Sequence, residues 1–153
     1  MLSIIRPALI GALCVASSTM ALAADGDLRV IVDNVRNANG AVHIAVCPEN
    51  LWLKEGCVNR AVTPARKGVT EIIVKGLPAG RYGAQLYHDE NGNNQLDRGT
   101  FGIPKEGVGF SNDAPIRMGP PKFKDAGFDY NGRDGTIRLK MRYFSGDKGP
   151  SGS

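Results

Sequence analysis

Short runs of apolar residues that alternate with polar residues recur along this chain, separated by clusters of Gly, Asn, Asp and Pro. Alternation with a period of two predicts half-buried β-strands. The predicted strands cover residues 28–35, 41–47, 69–74, 81–88 and 136–143. A further short strand is expected within residues 123–130, and residues 58–66 have no pattern that assigns them. Because turn signals separate the strands at regular spacing and no amphipathic helix is evident, the sequence predicts an all-β sandwich.

Two connections between these strands support further predictions. The turn Asn37-Ala38-Asn39-Gly40 separates the first two predicted strands, which predicts that they pair as a β-hairpin. From Asp89 to about Pro121, Gly, Asn, Asp and Pro dominate and no periodic run survives. An irregular segment of this length within a compact domain is usually functional or organised by a ligand.

The N-terminus has the features of a secretory signal peptide. Arg6 provides a positive charge, the apolar run 7–16 follows, and Ala21-Leu22-Ala23 forms an A-x-A cleavage signal. The run is too short to span a bilayer, which takes roughly 20 apolar residues. We therefore expect residues 1–23 to be removed and the protein to be periplasmic or secreted. A β-sandwich domain over residues 24–144 and a disordered tail over 145–153 are expected to remain.

The cysteines agree with export. Cys14 would leave with the signal peptide, and Cys47 and Cys57 remain as an even pair. In an oxidising compartment such a pair predicts a disulfide, here closing the loop 48–56 and contributing roughly 2.5–3 kcal/mol in the chain-entropy model. A metal pair or a redox pair is the alternative. Neither histidine has zinc-site spacing and no C-x-x-C motif is present, so a structural bond is favoured.

The charge distribution narrows the range of partners. The formal net charge of the full chain is only +4, and its Lys and Arg residues are scattered. No nucleic-acid partner is therefore expected, and the charge supports no more than weak attraction to an anionic surface. No stretch after the signal peptide is apolar enough to span a membrane. Because export is expected, the partner is predicted to be an unidentified envelope or extracellular molecule.

The segment 89–97 carries the spacing of a calcium-binding loop. Oxygen-bearing side chains fall at loop positions 1, 3, 5 and 9, and position 7 would contribute a backbone carbonyl. The predicted ligands are Asp89, Asn91, Asn93, Gln95 through its carbonyl, and Asp97. Calcium is a hard cation that prefers such carboxylate and amide oxygens, and the sequence therefore predicts bound calcium.

The segment departs from a full EF-hand loop in three ways. Asn94 replaces the usual Gly at position 6, although Asn tolerates a left-handed backbone. Thr100 replaces the bidentate Glu at position 12, and a strand rather than a helix precedes the loop. Glu106 is a possible additional ligand, with Asp113 and Asp125 as alternatives, and weak binding on the order of 10⁻⁴–10⁻³ M is expected. The competing interpretation is an Asx-rich loop that satisfies its own backbone through side-chain hydrogen bonds.

Three aromatic positions leave alternatives open. His88 next to the loop is a candidate acid–base group, although a histidine that ends a strand and bonds locally is the favoured interpretation. His43 alternates with apolar neighbours and is expected on the polar face of a strand. Trp52, within the predicted disulfide loop, is either an exposed platform for a ligand or a core plug. No motif of a nucleophilic enzyme is present, so no catalytic residue is assigned.

Several stretches together resemble a bacterial protein family. They read L-P-A-G-R-Y at 77–82, H-D-E-N-G-N at 88–93, F-G-I-P-K-E-G at 101–107, G-F-S-N at 109–112 and G-P-P-K-F at 119–123. The chain resembles the exported proteins of the domain of unknown function 2141 group. The resemblance implies a secreted, prealbumin-like antiparallel β-sandwich with one long irregular loop region, and it implies no activity. Asn94-Gln95 departs from the family pattern, in which Gly and Lys are common before the shared Leu-Asp.

Taken together, these features favour an exported, non-catalytic β-sandwich with a binding or structural role in the cell envelope. Calcium would order the long loop and present residues 98–123 as a binding surface. One alternative is a small envelope hydrolase acting on carbohydrate or peptide, with Glu106 and His88 as acid–base groups. Another is a purely structural module without an ion.

Overall fold

Eight strands account for most of the regular structure in the computed structural model, which describes residues 25–150. The predicted signal peptide, residues 1–23, therefore lies outside the described residues. The strands are β1 Gly26–Val35, β2 Ala41–Cys47, β3 Arg60–Pro64, β4 Gly68–Leu77, β5 Gly80–Asp89, β6 Gly107–Phe110, β7 Gly127–Tyr130 and β8 Gly135–Lys140. One α-helix, α1 Phe123–Ala126, and three 3₁₀ turns, at Glu49–Leu51, Thr100–Gly102 and Ser111–Asp113, complete the regular structure of this part of the chain.

The strands form two sheets that pack face to face. The first sheet has the order β4-β1-β8, and the second has the order β3-β2-β5-β6, with β7 pairing the start of β5. All these pairs are antiparallel except β1 with β8, which run parallel. The all-β sandwich is confirmed. The helix α1 is only four residues long, and no helix within residues 25–150 has the length and apolarity to cross a membrane.

Alternation along the strands builds the core between the sheets. In β1, Leu28, Val30 and Val32 are buried, and the residues between them face outward. The opposite sheet contributes inward-facing residues with the same spacing, among them Val42, Ile44, Val46, Ala84 and Leu86. Burying each large aliphatic side chain of this set stabilises the fold by about 1.5–3 kcal/mol relative to exposure. The period of two in the sequence is thus the cause of the sandwich.

The predicted hairpin between the first two strands is wrong. β1 pairs with β4 on one edge and with β8 on the other, so no edge of β1 is free for β2. β2 instead lies between β3 and β5 in the second sheet. Two alternating strands can bury their apolar faces across a sandwich as well as side by side, and alternation does not distinguish these arrangements. The segment 36–40 is therefore a crossover between layers. Gly40 has φ 62°, and a Cβ there would lie 1.8 Å from the Asp89 carbonyl oxygen.

Several segments contain regular structure that the sequence pattern did not assign or bounded differently. Residues 58–66, which no pattern assigned, contain the edge strand β3. The long irregular region contains the short strand β6 and two of the 3₁₀ turns. The short strand expected within 123–130 is confirmed as β7, and the last predicted strand ends at Lys140 rather than Tyr143. Of the predicted tail, residues 145–150 are described, and Arg36 Nη1 donates to the Ser145 carbonyl over 2.8 Å.

The predicted disulfide is confirmed. Cys47 at the end of β2 is bonded to Cys57, with 5.5 Å between their Cα atoms, and it closes the loop 48–56. Both cysteines are buried. The bond fixes the Glu49–Leu51 turn and the adjacent Trp52 beside the second sheet. A disulfide of this kind is typical of proteins from oxidising compartments.

Candidate functional site

The loop 89–97 is wound around the carboxylate of Asp89. This side chain is only 1% exposed. Its Oδ1 accepts the backbone N–H groups of Gly92 and Asn93 over 2.8 and 3.1 Å, and its Oδ2 accepts that of Asn94 over 2.8 Å. His43 Nε2 lies 3.4 Å from Oδ2. Three oriented N–H dipoles satisfy the buried charge, which explains why a carboxylate is tolerated at this depth.

The other predicted ligands converge on Asp97. The side-chain amide of Asn91 donates to Asp97 Oδ2 over 2.7 Å, and that of Asn93 donates to Oδ1 over 3.1 Å. Gln95 joins the same loop through its backbone N–H, which donates to the Asn93 side-chain oxygen over 2.9 Å. Asn94 adopts φ 60°, the left-handed conformation that replaces the usual glycine. The structure thus brings residues 91, 93 and 97 together at the exposed side of the loop.

Glu106 is the additional candidate ligand that reaches this loop. It is 5% exposed, and its Oε1 accepts the Glu90 N–H over 2.9 Å while its Oε2 accepts the Asp97 N–H over 3.0 Å. One carboxylate therefore clamps the two ends of the loop. Asp113 binds the Lys140 N–H over 2.7 Å instead, and Asp125 lies on α1.

The donor chemistry of the loop is therefore amide and carboxylate oxygen. Within residues 25–150, no group of three or more His, Cys, Asp or Glu side chains is arranged to hold a metal ion. Any ion at this loop would rely on the side-chain oxygens of Asn91 and Asn93 beside Asp97. Both amides now turn their N–H groups toward Asp97 and accept backbone N–H groups through their oxygens. The hydrogen bonds expected of a self-satisfied Asx loop are therefore present, and calcium stays a prediction.

A buried polar cluster lies behind this loop. Tyr143 Oη is 2.8 Å from His88 Nδ1, and His88 Nε2 is 2.8 Å from the Asn39 carbonyl oxygen. Because a carbonyl only accepts, Nε2 carries a proton, and in the neutral ring the tyrosine hydroxyl donates to Nδ1. His88 therefore ends its strand as expected, but its bonds are distant in sequence rather than local. Burial raises the pKa of Tyr143 to about 12, so the hydroxyl keeps its proton.

Arg36 connects this cluster to the loop. It stacks over the Tyr143 ring at 4.5 Å and binds both carboxylate oxygens of Glu90. Burial opposes ionisation of Glu90. The hydrogen bonds from Arg36 and Asn37, together with the Arg36 charge, outweigh burial and hold the pKa of Glu90 below its ordinary value. Glu106 and His88 are the acid–base candidates of the hydrolase alternative. Both are buried, and both are engaged in the hydrogen bonds described above.

The outer face of the second sheet forms the floor of a groove. Two cross-strand rows run across β3, β2, β5 and β6. One row is Val62, His43, Tyr87 and Val108, and the other is Arg60, Ala45, Gln85 and Phe110. The rings of His43 and Tyr87 stack with centroids 4.7 Å apart. His43 does lie on the outer face as predicted, but this face is largely apolar and it is partly covered.

Two segments of the long irregular region form the walls of the groove, which encloses about 770 Å³. The first wall is residues 96–104. Within it, Arg98 and Pro104 form an isolated antiparallel β-bridge, and the Gly99 N–H donates to the Ile103 carbonyl over 2.7 Å. The second wall is residues 116–120. Phe101 is 96% exposed at the rim, and Met118 on the second wall is fully exposed. This volume lies within the usual range of ligand pockets, about 300–1,000 Å³.

Trp52 supports the second wall from beneath, so it is a core plug and not an exposed platform. It is 8% exposed, it packs edge-on against Phe110 and Phe123, and its Nε1 donates to the Pro121 carbonyl over 3.0 Å. A Cβ at Gly83 would lie 2.6 Å from the Trp52 ring, so only glycine leaves room for this plug. Sequence reasoning missed the floor residues, because His43, Ala45, Gln85 and Tyr87 look like ordinary outward-facing positions.

Comparison with known proteins assigns the chain to a family. The sequence profile of a family described as an uncharacterized protein conserved in bacteria (DUF2141) matches residues 30–138. The chain belongs to the DUF2141 family. The match to DUF2141 includes parts of both sheets, the loop 89–97, Glu106 and both walls of the groove. No curated protein and no solved structure matches the chain.

Proposed function

We propose that this DUF2141 protein is an exported, non-catalytic binding module of the bacterial cell envelope. Its binding surface is the groove on the outer face of the second sheet, and calcium at the loop 89–97 organises one wall. The observation that carries this proposal is the cluster of exposed apolar side chains around the groove. Leu53, Val62, Phe101, Ile103, Met118 and Phe144 are all exposed there.

Exposed apolar side chains gathered around one concavity favour a ligand. Scattered surface hydrophobes are normal, but a contiguous apolar patch of this kind marks an interaction site. Covering a large apolar side chain contributes about 1.5–3 kcal/mol. A ligand that covers Phe101 and Met118 would therefore gain several kcal/mol before its own entropy losses.

The loop and the first wall are physically continuous. The Lys105 N–H donates to the Asp97 carbonyl over 2.9 Å, and Arg98 directly follows Asp97 into the wall. An ion held by Asp97 and the rotated side-chain oxygens of Asn91 and Asn93 would fix the base of this wall. Calcium would thus act on ligand binding by ordering residues 98–104, and it would have no chemical role.

Export rests on two independent features. The disulfide between Cys47 and Cys57 is of a type that persists in oxidising compartments. The N-terminal sequence supplies the positive, apolar and small-residue regions of a signal peptide. A periplasmic or secreted location is also one where calcium reaches the millimolar range that a weak site needs.

Calorimetry with calcium and with magnesium tests the loop. We expect heat from calcium with a dissociation constant on the order of 10⁻⁴–10⁻³ M, and a higher melting temperature in millimolar calcium. Asp97→Asn should abolish both effects, because it removes the carboxylate charge and retains the shape. Asp129→Asn, at an exposed residue on β7, is the matched control. Absence of both heat and stabilisation in the unaltered protein would refute the calcium assignment.

Binding of the neutral fluorescent dye Nile red tests the groove. We expect enhanced, saturable fluorescence with the purified protein, stronger in calcium than in a chelator. Phe101→Ser combined with Met118→Ser should remove most of the enhancement. Val69→Ser, an exposed apolar residue of the first sheet, should not change it. Enhancement that survives loss of both rim residues would contradict the proposal that this groove is the binding surface.

A further inference from the structure

We propose that the ligand of the groove is a single-chain anionic amphiphile of the fatty-acid class, with its acyl chain on the apolar floor and its carboxylate among arginines. This inference rests on the proposed function, since it names the ligand class of the same groove. The charge of the groove lining favours such a ligand. Among the described residues that line the groove, Arg60, Arg98 and Arg117 are cationic, and no Asp or Glu is present.

The three arginines come from different parts of the groove. Arg60 lies on the edge strand β3, Arg98 on the first wall and Arg117 on the second. All three are exposed at their positions, and none forms an ion pair with another residue in the segment 25–150. Arg60 Nε donates to the Cys57 carbonyl and Arg98 Nη1 to the Gly102 carbonyl, which leaves the other N–H groups of both guanidiniums available.

Two buried carboxylates, Asp89 and Glu106, form no ion pair with these arginines within residues 25–150. Asp89 and Glu106 act on the Tyr87 end of the floor, where burial raises the pKa of Tyr87 and their charges raise it further. Both carboxylates accept backbone N–H groups, three for Asp89 and two for Glu106. Arg60 stands beside Ala45 in the floor row, and its charge lowers the pKa of Tyr87, opposing the larger effects of burial and of the two carboxylates.

An anionic amphiphile matches this combination better than a neutral or cationic one. Guanidinium groups bind carboxylates through paired hydrogen bonds, and they are less strongly hydrated than ammonium groups, so binding costs less desolvation. The apolar floor and rim would hold the chain, and charge complementarity would select the head group. The concave shape and the volume of about 770 Å³ favour a single molecule over the flat surface of a bilayer.

Displacement of Nile red from the full protein tests the inference, in calcium-free buffer because calcium precipitates long-chain carboxylates, and with all ligands kept below their micellar concentrations. The ligands are dodecanoate, dodecanol and dodecyltrimethylammonium. We expect dodecanoate to displace the dye at roughly ten- to a hundred-fold lower concentration than dodecanol, since hydrogen bonds to charged groups are the stronger ones. The cation should be weakest. A series of carboxylates from eight to fourteen carbons should gain about fourfold in affinity per CH₂.

Variants separate the contribution of the arginines. Arg98→Gln combined with Arg117→Gln should reduce the ratio of dodecanoate to dodecanol affinity several-fold, with the remainder due to Arg60, and the corresponding Lys pair should restore part of it. Arg138→Gln on the first sheet is the control and should leave the ratio unchanged. Circular dichroism and melting temperature check the fold, and the head-group comparison on the unaltered protein needs no variant.

The outcomes distinguish this inference from the proposed function. If Nile red binds but the three head groups compete equally, the fatty-acid assignment is wrong and the groove remains a binding surface. If Nile red does not bind, the proposed function itself fails. Groove-dependent sedimentation with anionic phospholipid vesicles, without displacement by monomeric dodecanoate, would replace the single-molecule ligand with a membrane surface.

Discussion

The outer faces of the two sheets arise from the same alternation of residues but carry different chemistry. On the first sheet, charged side chains pair with each other: Arg29 with Glu71, and Arg138 with Asp33. On the second sheet, the outward positions are mostly apolar or aromatic, and the arginines beside them have no carboxylate partner within residues 25–150. On the first sheet the charges are already paired with each other. An apolar face with unpaired cations instead favours a ligand that covers the apolar side chains and pairs with the cations, as we propose.

The two faces also differ in what covers them. Residues 96–104 and 116–120 lie along the outer face of the second sheet, and Val108 and Phe110 on that face are buried. The long irregular region is therefore not simply a loop between strands. It is held at one end by Glu106 and Asp89 and at the other by Trp52, and it leaves a groove between these two supports. The proposed groove therefore lies on the covered outer face of the second sheet.

The largest effect is expected from loss of the Trp52 plug. Trp52→Ala removes the ring that packs on Phe110 and Phe123, and we expect the free energy of unfolding to fall by about 3–5 kcal/mol. Urea denaturation measures this change. The matched control is Ile73→Ala on the first sheet, a half-buried outward residue that should cost much less. Equal losses of unfolding free energy in the two variants would contradict the view that the outer face of the second sheet is covered and that of the first sheet is open.

The next effect concerns the clamp at the loop. Glu106→Gln replaces one accepting oxygen by an NH₂ group, which then faces a backbone N–H of residue 90 or 97. We expect a loss of about 1–3 kcal/mol in the free energy of unfolding and faster proteolysis within 90–104. Glu71→Gln breaks an exposed ion pair on the first sheet and should cost no more than about 1 kcal/mol. Protease resistance equal to that of the unaltered protein would show that Glu106 does not hold the loop.

The smallest effect is a pH dependence from Glu90. Its pKa is lower in the folded protein than the ordinary value of 4.5, so the contribution of its Arg36 pair is fully present above about pH 4.5. This contribution is lost as the pH falls through the folded value. Glu90→Gln should therefore cost about 1 kcal/mol at pH 7, and the difference from the unaltered protein should shrink toward pH 3. Urea denaturation across this range checks the trend, and a constant difference would contradict it.

The parts of the fold that could be predicted depend on local patterns. Alternation located most strands, and the even pair of cysteines predicted the disulfide. Asn94 adopts the left-handed backbone that its position in the loop required. In each case, the residues that determine the feature are close together in the sequence or carry a periodic signal.

The missed parts depend on contacts that no local pattern contains. Pairing of β1 with β8 rather than β2 joins residues more than a hundred positions apart. In β6 all four residues are buried, because Gly107 faces the core and Phe110 on the other side packs against Trp52, so no alternation marks it as a strand. The groove was not predicted because it also depends on contacts between distant segments. Its floor and walls belong to segments that only the completed sandwich brings together.

The most direct test is the map of backbone amide chemical shifts on titration with dodecanoate in calcium-free buffer. We predict shifts in residues 96–104 and 116–120 and at His43 and Tyr87, with none at Arg29, Ile73 or Arg138 on the first sheet. Shifts centred on the first sheet, or no shifts at concentrations that saturate Nile red displacement, would contradict the assignment of the groove as the ligand site.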